Sequence, residues 1–182
     1  MTRLRIVGID IESKRKGSDW GSGSYHFRDL ICADLRFADD PAHHFLPFDF
    51  SAEQLDRWAQ PLRLAGLLIV AHNGVYDLRG VNATLVGLGL APLSPNLLCD
   101  TLKHGPKGDG WIRRDLGSMA VRYGVPAKGS IDQATWDLAH AGDRRARALV
   151  KTYNQNDVDV VLQLQAVMTR RGHLAAPKAW RP

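Results

Sequence analysis

The 182-residue chain has only two cysteines, Cys32 and Cys99. That excludes a disulfide framework and a cysteine-rich zinc site, and since both lie in apolar segments they read as buried free thiols. Long hydrophobic runs are also missing. The longest, Leu64 to Ala71, is far below the ~20 residues of a membrane helix. The apolar stretch after Arg5 is short and broken by Asp10 and Glu12, which is unlike a secretory signal. These absences lead to the expectation of a soluble, intracellular, cytoplasmic protein with no membrane association. No Gly-rich loop of the dinucleotide-binding form follows the first apolar run, so a nucleotide-binding module of that kind is disfavoured. There is no internal repeat.

At 45% hydrophobic residues the chain has enough apolar material for a folded core, and its length suits one domain. We expect that domain over residues 1–172, followed by a loosely held tail, 173–182. Lys and Arg number 24 against 19 Asp and Glu, a formal charge of +5. This suits a polyanionic partner without requiring one. The cations come in short groups: Lys14-Arg15-Lys16, Arg113-Arg114, Arg144-Arg145 with Arg147, and Arg170-Arg171. Each by itself reads as a solvated face; only convergence on one cleft would read otherwise.

Residues 3–12, 29–37 and 43–50 have the β-branched and alternating character of strands, the last two joined by the turn-forming Asp39-Asp40-Pro41. Ser51 and Gln54 have capping-box spacing, and Leu55, Trp58 and Leu62 follow at helical intervals, with Pro61 set to kink or end that helix. Residues 66–72 read as a central buried strand, then a helix from about Leu78 to Leu88, then a short strand at 96–101. Helices are expected near 115–123, 131–140 and 143–171. Three antiparallel strands followed by strands alternating with helices predict an α/β fold with a mixed, five-stranded sheet flanked by helices.

The acids carry the chemistry. Asp10 and Glu12 are two apart in a strand, so they share one face while Ile9 and Ile11 point to the other. Two adjacent acids repel and are costly to bury without a cation between them, although Asp-x-Glu is a common tripeptide that often marks only a strand edge. Asp77 falls just beyond the apolar strand 66–72, where ligands bind in open α/β sheets; standing alone it would read as a helix cap. In the long helix, Tyr153 and Asp157 are four apart and share a face, which an ordinary amphipathic helix also explains. Asp159 is rotated by ~200° from Asp157 and should face elsewhere, so Asp159, like Asp100, is expected to tolerate substitution. Asp10, Glu12, Asp77 and Asp157 together suit hard divalent ions such as Mg²⁺ or Mn²⁺. Two such ions, ~3.5–4 Å apart, serve phosphodiester hydrolysis.

In the order in which they occur, GIDIES (Gly8–Ser13), AHNGVYD (Ala71–Asp77) and YNQNDVDVV (Tyr153–Val161) resemble the three motifs of the DEDD superfamily of 3′–5′ exonucleases. CDTLKH (Cys99–His104) and RRDLGSMAVRYGVPAKG (Arg113–Gly129) add to the likeness, which spans roughly residues 4–170. The resemblance implies an RNase H-like fold, two metal ions and removal of nucleotides from a 3′ end. Tyr153 stands where the tyrosine subclass has its tyrosine, and Thr152 where the histidine subclass has its histidine. By resemblance Tyr153 orients the attacking water, Asn73 positions the terminal nucleotide and Ser13, in place of the usual Thr, lines the same site. The loop Lys14–Phe27 is longer than in compact members; its lysines and Trp20 are candidates to grip or stack on a substrate strand, or simply belong to a surface loop.

The expected substrate is single-stranded DNA. An exoribonuclease or scavenger of short oligonucleotides, a catalytically silent nucleic-acid-binding domain, and an RNase H-like endonuclease are the rivals. The four acids serve DNA and RNA alike, since discrimination rests on contacts to the 2′-OH. Partnership with a polymerase or another replication or repair protein, as in proofreading, is compatible with a domain of this size.

Overall fold

A computed structural model describes residues 4–13, 30–105, 115–126 and 129–182. The first strand, β1 (Arg5–Ser13), pairs antiparallel with β2 (Leu30–Phe37), and β2 pairs antiparallel with β3 (His43–Leu46). The third strand is shorter than its apolar pattern suggests. Pro47 has no N–H to give to the ladder, and Asp49 turns with a positive φ of 54°, so Phe48 and Phe50 leave the sheet and pack into the cores beside it.

Helix α1 (Ala52–Ala59) starts at a complete capping box between Ser51 and Gln54, and Pro61 converts its continuation into a 3₁₀ turn, Gln60–Arg63. β4 (Leu67–Ala71) and β5 (Asn96–Asp100) extend the sheet in parallel on the other side of β1. Between them lies α2 (Gly74–Gly87). Then come α3 (Leu116–Tyr123), α4 (Gln133–His140) and the 27-residue α5 (Arg144–Arg170).

Among the described residues the sheet has six strands, not five, in the order β3-β2-β1-β4-β5-β6. The sixth, β6 (Lys178–Trp180), comes from the segment expected to be a loose tail, and pairs antiparallel with β5. It covers the exposed backbone edge of β5, and Trp180 is buried in the main core. Ala175 N–H also donates to His104 O at 3.0 Å.

β4 is buried on both faces. Leu67, Ile69 and Ala71 join Val7, Ile9 and Ile11 in a core shared with Leu55, Leu78 and Leu85 of α1 and α2. Leu68 and Val70 point the other way, toward Val158, Val161 and Leu162 of α5. Gly8, on the α5 side of β1, sets how closely the helix approaches. A Cβ there would lie 2.7 Å from Leu162 Cγ and within 3.1 Å of both Leu162 methyls. Gly8→Ala is therefore expected to destabilise the fold by about 1–3 kcal/mol, as overpacking does, measured by urea unfolding. An unchanged midpoint would mean that α5 rides freely over β1.

Candidate active site

α5 lies across the face of the sheet on which Asp10 and Glu12 emerge, and the close packing at Gly8 carries Asp157 down to them. One carboxylate oxygen from each of Asp10, Glu12 and Asp157 lies within 4.8 Å of the others. Asp157 is buried and the two strand acids are half-buried. Three carboxylates this close, in a partly desolvated place, repel strongly unless a cation lies among them. Their field extends into the strand beneath. Burial first, then Glu12, Asp10 and Asp34, push the Cys32 thiol far above its ordinary value. Cys32 and Cys99 are both free and buried, and the Cys99 thiol is pushed up to about 11, chiefly by burial.

Asp77 does not join the group of three. The helix it was expected to begin starts earlier: Asn73 is the N-cap, in the left-handed region at φ 71° and ψ 36°, and Asp77 stands in the first turn. Its side chain is buried, and Oδ2 has no hydrogen-bond partner among the described residues. Burial, then the charges of Asp100 and Glu12, push its carboxyl well up, with Lys103 opposing. A buried carboxylate oxygen without a donor, facing the charge of Glu12, fits a site built to receive cations.

The sign of the pH effect follows. A carboxyl whose folded-state value exceeds the unfolded one (~3.9) supports the fold below that unfolded value. The support is lost as pH rises through the folded value. In EDTA, stability is therefore expected to fall as pH rises from about 4 into the neutral range, and Asp77→Asn should flatten that slope. Parallel urea midpoints for the two proteins would reveal an unperturbed Asp77.

The turns beside Asp77 are held by a residue that sequence reasoning set aside. Asp100, at the end of β5, is wholly buried. Its Oδ1 accepts from the backbone N–H of Asn73 at 3.0 Å, Leu102 at 3.0 Å and Lys103 at 3.1 Å. His72 Nδ1 lies 2.9 Å from Thr101 Oγ1, and Thr101 N–H donates to Ala71 O at 2.9 Å. The loop that presents Asn73 is thus bound to the end of the neighbouring strand. Ser13 Oγ and Tyr76 Oη share a hydrogen bond of 2.5 Å, joining the end of β1 to the first turn of α2.

On α5, Tyr153 is half-buried one turn before Asp157. Asp159 does face elsewhere: it pairs with Arg36 Nε at 2.7 Å and lies 3.4 Å from His43 Nε2. His43 Nδ1 in turn meets the buried Asp34 at 2.5 Å, and Asp34 stands opposite Asp10 in the β1–β2 register. Burial pushes the Asp34 carboxyl up, and the bond to His43 offsets part of that. This chain of ionisable groups gave no sequence signal, because it depends on which strands are neighbours.

Trp20, Lys14-Arg15-Lys16 and Arg113-Arg114 lie outside the described residues. Of the other basic groups, Arg144-Arg145 and Arg170-Arg171 occupy opposite ends of α5, about 40 Å apart at ~1.5 Å per residue, so these two do not converge. Arg147 is turned to Asp49 at 2.6 Å.

No protein-family model matches the chain, and no curated protein matches it by sequence. Solved structures do match in shape. The family B DNA polymerase of the hyperthermophilic archaeon Pyrobaculum calidifontis superposes with a TM-score of 0.64 at 14% identity, over 92% of this chain and 25% of that one. The fold is RNase H-like. RNase D of Trypanosoma brucei follows at 0.58 and 13% identity, over 96% of this chain and 59% of that one. The Nibbler EXO domain of Aedes aegypti gives 0.55 at 12%, over 94% and 81%. The chain thus spans a quarter of the polymerase and under two thirds of the RNase D. Among the described residues, no helix is long and apolar enough to cross a membrane.

Proposed function

We propose that the chain is a metal-dependent 3′–5′ exonuclease that hydrolyses the terminal phosphodiester of single-stranded DNA. The observation that carries this reading is the convergence of Asp10, Glu12 and Asp157 from β1 and α5, with the buried Asp77 beside Glu12 at the foot of α2. These four acids would hold the cations. Two divalent ions, Mg²⁺ or Mn²⁺, supply activation of water and stabilisation of the leaving oxygen when bound.

The chain's own groups do the rest. Tyr153, in the position of the tyrosine subclass, offers a hydroxyl to orient the attacking water. Asn73, held in its left-handed conformation, positions the terminal nucleotide, and Ser13, fixed by Tyr76, lines the same place. Trp20 and its neighbouring lysines are proposed to hold the strand upstream. RNA is the second reading, favoured by the structural likeness to an RNase D. Service as a proofreading or repair partner of a polymerase fits the likeness to a family B DNA polymerase.

The test is a digestion time course on 5′-labelled single-stranded DNA and RNA of one sequence, with Mg²⁺, Mn²⁺ or EDTA. A metal-dependent ladder shortening from the 3′ end is expected, fastest on DNA. Tyr153→Phe should slow it by about 10²-fold, less than loss of a metal ligand does. Shortening of RNA alone would shift the substrate. Binding without cleavage of either strand would replace the reading with a silent nucleic-acid-binding domain.

A further inference from the structure

One buried polar side chain at the site has no part in the chemistry described above. Asn154 is fully buried in the middle of α5, between Tyr153 and Asp157. Its Nδ2 donates to Asp10 Oδ2 at 2.5 Å, across 144 residues of sequence, while its own Oδ1 has no hydrogen-bond partner among the described residues. Asn is a poor helix former, by roughly 0.5 kcal/mol or more against Ala, and an unpartnered buried carbonyl adds a further cost. Folding alone would favour an apolar residue here, as at the buried Val150, Val158 and Val161 of the same helix.

We propose that Asn154 is a positioning residue that fixes the rotation of the Asp10 carboxylate toward the cation site, an inference that rests on the metal-dependent reading above. The χ2 torsion of an aspartate is broad and roughly two-fold, so packing alone does not set where its oxygens point. A carboxylate only accepts hydrogen bonds, so the amide nitrogen, not the oxygen, must face it. The contact then holds one Asp10 oxygen and sets the direction of the other. Because Asn154 lies three residues from Asp157, it also couples the strand acid to the helix acid. The contact opposes the repulsion among three carboxylates, which acts to turn Asp10 away before any ion arrives.

Groups that orient metal ligands in this way are worth about 10–100-fold in metal affinity or activity when removed. The test is Mn²⁺ alone, titrated into the full chain and read by the free-ion electron paramagnetic resonance signal. Wild type would be compared with Asn154→Ala and with Asn154→Leu, which keeps the branched outline, favours the helix and lacks the donor. Circular dichroism and urea midpoints would run alongside.

The expected result is Mn²⁺ binding weakened about 10–100-fold in both variants, with helical content retained. At saturating Mn²⁺, kcat for oligonucleotide cleavage should be lower while KM stays near wild type. Wild-type Mn²⁺ affinity in both variants would overturn the proposal, as would weakening in Asn154→Ala fully restored in Asn154→Leu, since packing would then explain it. Failure of wild type itself to bind Mn²⁺ would overturn the metal-dependent reading and this inference with it; normal wild-type binding beside unaffected variants would overturn the inference alone.

Discussion

Asp157→Asn is expected to leave a folded protein that no longer cleaves and that, in EDTA, is more stable than wild type. The two effects have one cause. Asp157 is buried, and one of its oxygens lies within 4.8 Å of oxygens from Asp10 and Glu12. Two unit charges at that separation repel by about 3 kcal/mol at an effective dielectric near 20, before salt and partial exposure reduce it. Removing the charge while keeping the shape should therefore raise the unfolding free energy by about 1–2 kcal/mol near neutral pH. Catalysis moves the other way. A ligand lost from a cation that supplies several kcal/mol of transition-state stabilisation costs about 10³-fold or more in rate. Metal ions should raise the melting temperature of wild type by mass action and do so far less in the variant. Gel assays of contaminant-free protein, beside urea melts with and without Mn²⁺, test both halves. Full activity would remove Asp157 from the site. A loss of stability in EDTA would mean that the three acids are not crowded, and that the site is held together without cations. Asp10→Ala should likewise abolish cleavage, although it gives up the bond from Asn154 and so should gain less stability.

Much of the architecture was legible because local patterns agree with the final fold. The alternation in β1 places Ile9 and Ile11 in the core and Asp10 and Glu12 on the opposite face. The capping box at Ser51 and Pro61 mark the beginning and end of α1. The four-residue step from Tyr153 to Asp157 places both on one side of α5, and the ~200° turn to Asp159 correctly sent that residue elsewhere. What was not legible depends on neighbours distant in sequence. β6 is three residues long, too short for any period, and exists because β5 offers an edge. Asp77 sits inside a helix that starts at Gly74, because Asn73 accepts the strained cap position. Asn154 has no separate sequence signal; only the crossing of α5 over β1 gives its amide an acceptor. Asp34 carried no signal, and Asp100, within CDTLKH, none for its structural part, since their partners come from other strands and turns.

Asp100 shows how far that gap can mislead. Sequence reasoning expects it to tolerate change; the structure predicts that Asp100→Ala is among the most damaging single substitutions in the chain. Its Oδ1 organises three backbone N–H groups from two different turns. Each would lose its acceptor in the alanine variant. A buried donor left unsatisfied costs about 1–3 kcal/mol, less where water enters, so a loss of about 3 kcal/mol or more is expected, a large share of the ~5–15 kcal/mol that holds a typical domain. The damage should reach the site. The left-handed conformation of Asn73 is one that residues with side chains seldom adopt, though asparagine does so more readily than most, and Asp100 holds the N–H that keeps it. Once it relaxes, the start of α2 and Asp77 shift with it, and activity should fall together with stability.

Asp100→Asn separates geometry from charge. Its carbonyl can accept the same three bonds, and its amide nitrogen replaces Oδ2, which is buried without a partner among the described residues. It also removes the larger of the two charges that push Asp77 up. The asparagine variant should therefore lose less than the alanine variant, about 1–3 kcal/mol for its newly buried amide N–H groups, keep more of its activity, and show a shallower decline of stability with rising pH in EDTA. Equal damage from both substitutions would mean that the negative charge matters and the acceptor geometry does not. Equal tolerance would mean that the loop carrying Asn73 is held by the His72–Thr101 and Thr101–Ala71 contacts alone.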